Sequence, residues 1–370
     1  MGEERSLRVA VLVDGRHPQR GNLSRDPHAF TQASVTVKAV SEALSQLGHT
    51  PLLLETSNNL LQELRDLAPD LVFNLATGLG HKKQQANVVA ILELAEVPFT
   101  GSPLESHVLA LHKPIAKMVF RHWGIPTPAF QVIHDAGQPL QPELRFPLIV
   151  KPTSEGSSVG IGPESVVHDE VQLRAAVARV VETFAQPAIV EEFAPGREFT
   201  VGIVGNDPAE ALPPEEIVFL HDGDAATFGY LTKQRDTVTH VCPAELPPDL
   251  RHRIDRIALL AYHALGCCDY ARIDIRMDDR GEPLVLEVNT IPGLQPGYSE
   301  LPRIAEAAGM SYVQLIDRIM REALTRHRGS RRQAGFLCTD PTAFVDGSTG
   351  QLPGPGHGST GEARRTDHPA

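Results

Sequence analysis

ARIDIRMDDRGEPLVLEVNTIPG, residues 271–293, is the stretch on which the reading of this chain turns. Two apolar-rich runs, 271–277 and 284–290, flank the turn-forming DDRGEP and read as an antiparallel hairpin. Side chains alternate along a strand, so Arg272, Asp274 and Arg276 share one face and Ile273, Ile275 and Met277 the other. On the second strand, strict alternation places Glu287 and Asn289 with Val285, while Leu284, Leu286 and Val288 point away. A symmetric turn sets Asp274 across from Glu287. Two carboxylates opposed across strands repel, so the patch of Asp274, Glu287 and Asn289 calls for a cation. Hard oxygen donors with no neighbouring His or Cys select Mg²⁺ over zinc. The alternative is a solvated face whose charges are balanced by Arg272 and Arg276. Directly after the acids, NTIPG turns the chain, and Gly293 can present backbone N–H groups to a ligand.

Upstream, KPTSEGSSVGIG (151–162) follows the apolar run FPLIV. It has the glycines, serines and lysine of a phosphate-binding loop. It matches neither the P-loop pattern, since its lysine precedes the glycines, nor the G-x-G-x-x-G of a dinucleotide fold.

Length and composition bound the function class. A chain of 370 residues suggests two or three domains. Its formal charge of −12 gives no support to nucleic acid or anionic membrane as partners, which require a basic surface. No stretch approaches the ~18–20 apolar residues of a membrane span, and MGEERSLRVAVLVDG reads as a first strand and not a secretory signal. Cys242, Cys267, Cys268 and Cys338 show no C-x-x-C spacing, which fits reduced thiols in a cytoplasmic protein.

Residues 1–110 alternate strands and helices in a βαβαβ pattern, giving a Rossmann-like parallel sheet. The strand runs are LRVAVLVD, TPLLLE, DLVFNLA and VPFTGS. Residues 111–205 mix strands and helices as an α+β unit, and 206–328 form a third unit closed by the helix SYVQLIDRIMREALTRH. The Gly-, Pro- and Ser-rich segment 329–370 cannot bury a core and reads as a disordered tail.

LHKPIAK, VKPTSEGSSVGIG, IVEEFAPGREFTV and ARIDIRMDDRGEPLVLEVNTIPG, in this order and spacing, resemble the D-alanine–D-alanine ligase family of ATP-grasp enzymes over residues 7–328. The resemblance implies an ATP-grasp fold, α/β and α+β, with ATP between two antiparallel sheets. It implies nucleotide lysines at Lys113 and Lys151, and a loop over the phosphates with Ser157, Ser158 and Val159. Glu191, beside Glu192, would accept from the adenine amino group, Ala194 would make a backbone contact, and Glu198 would hold the ribose. Asp274, Glu287 and Asn289 would hold two Mg²⁺ (or Mn²⁺) ions. Arg272 and Gly293 would stabilise a tetrahedral intermediate. Lys233 would ride on a loop, 221–240, that closes over ATP, and Ser299 would hold the second substrate's carboxylate. The implied chemistry is ADP-forming ligation of a carboxylate to an amine through an acyl phosphate, in a homodimer.

Two segments depart from the family. Its early acidic AEREVSL is replaced by GRHPQRGNLSRD, and its LHG turn by NLATGLGHKKQQ, with Ala76 near the expected histidine. His81, Lys82 and Lys83 then open a helix, where cations oppose the dipole unless they meet an anionic substrate group. The departures point to a carboxylate other than D-alanine, as in ligases of mycosporine-type amino acid assembly. A peptidoglycan D-alanine–D-alanine ligase and a non-catalytic ATP-binding protein are the competing readings, with a glutathione-type ligase a third.

Overall fold

The computed structural model describes residues 5–15, 27–77, 83–154, 161–219 and 238–330. Three sheets organise them. In the first, β1 (Arg8–Val13), β2 (Thr50–Glu55) and β3 (Leu71–Asn74) run parallel in the order β2-β1-β3. Val9, Ala10, Val11 and Leu12 are all fully buried, as expected of a parallel strand covered on both faces. Helices α1 (Pro27–Gln46), α2 (Leu60–Leu67) and α3 (Lys83–Leu94) connect and cover this sheet. The run VPFTGS, expected as a further strand, contributes only a single bridge, Val72 to Phe99. Pro98 offers no N–H, and Gly101 at φ 95° turns the chain away.

Helices α4 (Leu104–Leu111) and α5 (Lys113–His122) lead into the second sheet. Its strands β4 (Phe130–Ile133), β5 (Leu148–Pro152), β6 (Val166–Val167) and β7 (Ala188–Glu192) are antiparallel in the order β4-β7-β5-β6. Helix α6 (Glu170–Phe184) starts at Asp169, whose carboxylate accepts from the Gln172 N–H, and buries Leu173, Ala176, Val177 and Val180 on this sheet.

The third sheet contains β8 (Glu198–Val204), β9 (Glu210–Ala211), β10 (Glu215–Phe219), β11 (Val238–Val241), β12 (Tyr270–Met277) and β13 (Pro283–Asn289), ordered β11-β10-β8-β12-β13 with β9 on β8. Helix α7 (Pro248–Ala264) lays Ile254, Ala258 and Ala261 against Ile273, Ile275 and Met277. The boundary expected at residue 205 therefore moves. β8 pairs with β12 along its whole length, so the two antiparallel sheets part at the 193–197 connection.

The last helices, α8 (Glu300–Ala307) and α9 (Tyr312–Ser330), return to the N-terminal unit. Leu315, Ile316, Ile319 and Met320 share a core with Val9, Val11, Leu71 and Phe73. The Arg326 guanidinium seals this junction, donating to Asp269 Oδ2 at 2.8 Å and to the Phe99 and Gly101 carbonyls. Gly329 and Ser330, assigned to the tail, still belong to α9, and the rest of that segment lies outside the described residues. Cys242, Cys267 and Cys268 are free thiols, and Cys338 lies outside the described residues. Among the described residues no helix is long and apolar enough to cross a membrane.

Candidate active site

The hairpin pairs Asp274 with Glu287 and Arg272 with Asn289 as expected, but its turn is one residue tighter than the symmetric one, pairing Met277 with Pro283. Asp278 organises that turn, its Oδ1 accepting from the N–H groups of Arg280 and Glu282. One part of the expected pattern fails. The register slips between Asp274 and Ile275, leaving Leu286 as a bulge. Val285 consequently joins Val288 in the core instead of standing beside Glu287, because an extra residue shifts the alternation by one.

Asp274 is the most heavily bonded acid of the face. Its Oδ1 accepts from Arg272 Nε at 3.0 Å and Thr200 Oγ1 at 2.7 Å, and its Oδ2 from Arg272 Nη2 and Asn289 Nδ2, each at 3.0 Å. Arg272 Nη1 donates to Glu300 Oε2 at 3.1 Å. Burial works to lower the Arg272 pKa, but the Asp274, Glu300 and Glu287 carboxylates outweigh it and the guanidinium is held charged. Glu287 Oε2 lies 3.0 Å from Lys113 Nζ.

That ion pair carries the site to α5 and the second sheet. Lys113 and Lys117 stand one turn apart on α5. Lys117 is fully buried, its Nζ 3.6 Å from Glu191 Oε1 and donating to Thr127 Oγ1 at 2.8 Å. Lys151, on β5, reaches Glu191 Oε2 at 2.6 Å from the neighbouring strand β7. Burial is the largest influence on both partners. It pushes the Lys117 ammonium down to about 8, helped by Lys151 and Lys113 and opposed by Glu191. It works to raise the Glu191 pKa, but the lysines prevail and the carboxyl is lowered. Among the described residues Glu191 Oε1 is buried with no hydrogen-bond partner beyond its 3.6 Å ion pair with Lys117.

Lys117 is the principal residue that sequence reasoning missed. The i, i+4 spacing with Lys113 was its available signal. Glu300 and Thr200 were also missed, because only tertiary packing brings them to Arg272 and Asp274. Glu198 opens β8 and pairs with Arg276 at 3.3 Å, whose guanidinium stacks over Phe193 at 4.8 Å. Ala194 is buried in the connection between the antiparallel sheets. Glu192 does not join the lysines. The alternation of β7 turns it away from Glu191, and its Oε1 accepts from the Arg145 N–H at 3.0 Å.

Gly293 and Ser299 are in contact. A Cβ on Gly293 would stand 2.6 Å from Ser299 Oγ, so glycine is required here for close approach. Ser299 precedes α8 without capping it through its side chain. Its Oγ instead accepts from the Gln295 N–H at 3.1 Å.

At the C-terminal edge of the parallel sheet, Thr77 donates through N and Oγ1 to Asp14 Oδ2, at 2.9 and 3.1 Å. Ala76, which the sequence puts near the family's expected histidine, is a buried core residue just after β3. Thr77 is the residue that meets this edge, where ligands of parallel sheets bind. Ser157, Ser158, Val159, Lys233, His81 and Lys82 lie outside the described residues.

The set Asp274, Glu287 and Asn289 fits a divalent cation by its chemistry: two opposed carboxylates and an amide, all oxygen donors. Among the described residues no group of three or more His, Cys, Asp or Glu side chains gathers here or elsewhere, so the amide of Asn289 would have to complete the set.

A family model described as D-ala D-ala ligase C-terminus matches residues 119–321. The chain is 37% identical over 315 residues to the uncharacterized protein y4sG of Sinorhizobium fredii, covering 82% of this chain and 91% of that one. It is 34% identical over 337 residues to the D-alanine–D-alanine ligase of Bordetella avium, covering 90% and 99%. The solved D-alanine–D-alanine ligase of Bacillus anthracis complexed with ATP matches at a TM-score of 0.67 and 26% identity, covering 88% of this chain and all of that one.

Proposed function

The chain belongs to the D-alanine–D-alanine ligase family of ATP-grasp enzymes, and from that premise we propose that it joins a carboxylate other than D-alanine to an amino acid, through an acyl phosphate. As a member it is an ATP-dependent ligase that forms a C–N bond. The observation that carries the catalytic part is Arg272, clamped by Asp274 and Glu300 beside the strand that leads to Gly293 and Ser299. Binding ATP alone requires no such arrangement.

The carboxylate oxygen of the first substrate attacks the γ-phosphorus of ATP, the bond to the β-phosphate oxygen breaks, and ADP leaves. Lys113, Lys117 and Lys151 bring positive charge to the nucleotide cleft, and Glu191 Oε1 is the acceptor for the adenine amino group. Such transfer depends chiefly on positioning and charge neutralisation. Asp274, Glu287 and Asn289 would hold Mg²⁺, which supplies charge neutralisation at the phosphates. The amine nitrogen then attacks the acyl carbon, loses a proton, and inorganic phosphate departs as the C–O bond breaks. Arg272 and the Gly293 N–H stabilise the negative charge on the carbonyl oxygen, and such a donor is typically worth ~3–4 kcal/mol. Ser299 orients the amine substrate by its carboxylate.

The Asp14–Thr77 bond supports the altered first substrate, since it stands at the edge near which the family pattern has a histidine. The D-alanine–D-alanine ligase reading is favoured by the named relatives, matched over nearly their full length. Trapping the acyl phosphate with hydroxylamine separates the two. A hydroxamate from a carboxylate other than D-alanine supports the proposal, and a D-alanine hydroxamate as sole product overturns it.

A further inference from the structure

A buried polar triad joins the N-terminal helices to the turn after β13, outside the groups used above. His107 of α4 is fully buried, and Gln85 of α3 and Thr290 nearly so. His107 Nδ1 lies 2.7 Å from both Thr290 Oγ1 and Gln85 Nε2, and Gln85 Nε2 lies 3.0 Å from Thr290 Oγ1. On the opposite side of the ring, His107 Nε2 lies 3.1 Å from the Ser102 carbonyl oxygen.

The Ser102 contact fixes the tautomer. A carbonyl only accepts, so Nε2 carries the proton and Nδ1 is the acceptor. The Gln85 amide nitrogen only donates. Thr290 Oγ1 therefore accepts from Gln85 Nε2, and the Gln85 amide and the Thr290 hydroxyl both face the Nδ1 lone pair as donors. The chain runs one way, from Gln85 through Thr290 and His107 to Ser102. A second ring proton would point at two donors. Burial lowers the His107 pKa to about 4, against the opposing bond to Ser102, so the ring stays neutral at physiological pH.

Simple packing does not call for such a network, because buried polar groups must each find a partner and rigidify their surroundings only when all are satisfied. Here Gln85 and His107 converge on Thr290, which stands between Asn289 and Gly293. We propose that His107 is a positioning residue for the reaction. Through Thr290 it fixes the 289–293 turn, and through Gln85 it ties that turn to α3, the helix entered from the segment where the family pattern fails. This inference rests on the roles proposed for Asn289 and Gly293.

The test uses the full chain and Thr290→Val, which removes the hydroxyl with little change of shape, beside Thr290→Ser, which keeps it. Two readouts are taken: steady-state ADP release, and amide hydrogen exchange across 284–299. Thr290→Val is expected to lower kcat about 10–100-fold, the range for supporting groups behind a ligand, at an unchanged KM for ATP and with faster exchange at 289–295. Thr290→Ser should restore both. Wild-type kcat and exchange in Thr290→Val, or equal losses in the two variants, would overturn the proposal. Should Thr290→Val fail to fold, His107→Asn, which retains an acceptor near the Nδ1 position, against His107→Leu makes the same comparison. If the wild-type chain releases no ADP with any substrate, the ligase reading fails instead, and the exchange data alone decide the inference.

Discussion

Arg272 and Asp274, two residues apart on one face of β12, form a bidentate pair: Nε to Oδ1 and Nη2 to Oδ2, each at 3.0 Å. The strand period alone puts them on that face. The pair leaves Nη1 to Glu300, so the guanidinium is fixed at both ends before any substrate arrives. Preorganisation of this kind is what an oxyanion donor requires.

Arg272→Ala should therefore lower kcat by roughly 10²–10³-fold, the usual loss for one such donor, and weaken ATP binding far less. Steady-state kinetics alongside ATP titration calorimetry check this. Equal losses in turnover and ATP affinity would place Arg272 in nucleotide binding instead.

Gly293→Ala forces its new Cβ to within 2.6 Å of Ser299 Oγ. Displacing that serine should raise the KM for the amine substrate and lower kcat, by up to about 100-fold for a shift near 1 Å. Because the two residues touch, their effects should not add. Gly293→Ala in a Ser299→Ala background should cost clearly less than in the wild-type chain. Strict additivity would show that the contact has no functional weight.

Glu191 is the common anion of Lys117 and Lys151, with side chains almost wholly buried. Removing one partner of a buried pair strands the other's charge, at a cost of about 3–5 kcal/mol. Glu191→Gln strands two ammonium groups and should destabilise more than Lys117→Met, after which Lys151 still neutralises Glu191. Urea denaturation of both variants provides the comparison, and the reverse order would contradict the assigned charge balance.

Stability should fall below neutral pH. His107 and His327 are each lowered to about 4, chiefly by burial, and His263 is lowered for the same reason. Below pH 6.5 the unfolded chain binds more protons than the folded one, so this contribution is complete above 6.5 and lost as pH falls towards 4. For His107 the shift from 6.5 to about 4 amounts to roughly 3 kcal/mol. Melting temperatures across this range should decline for the wild-type chain and decline less for His107→Leu. Parallel curves would refute the contribution.

Strand alternation and turn symmetry are local rules and made the pairing of Asp274 with Glu287 legible, although the chain reaches that pairing through a tighter turn offset by a bulge. Val285 was misplaced because a bulge at Leu286 obeys no such rule. Lys113 and Lys151 could be located by motif. Lys117 and Glu300 acquire their partners only through tertiary packing. The boundary at 205 failed because β8 is close in sequence to β7 yet pairs with β12, some 70 residues later. At the first-substrate edge, sequence located the departure from the family. Only the folded sheet showed that Thr77, and not the neighbouring Ala76, faces Asp14.

The most direct measurement is ADP release by the purified chain with ATP and Mg²⁺, comparing D-alanine alone with a panel of other carboxylates and amino acids. ADP formation that requires a carboxylate from the panel, with little in D-alanine alone, is the predicted result. Robust turnover with D-alanine as the sole amino acid would contradict it.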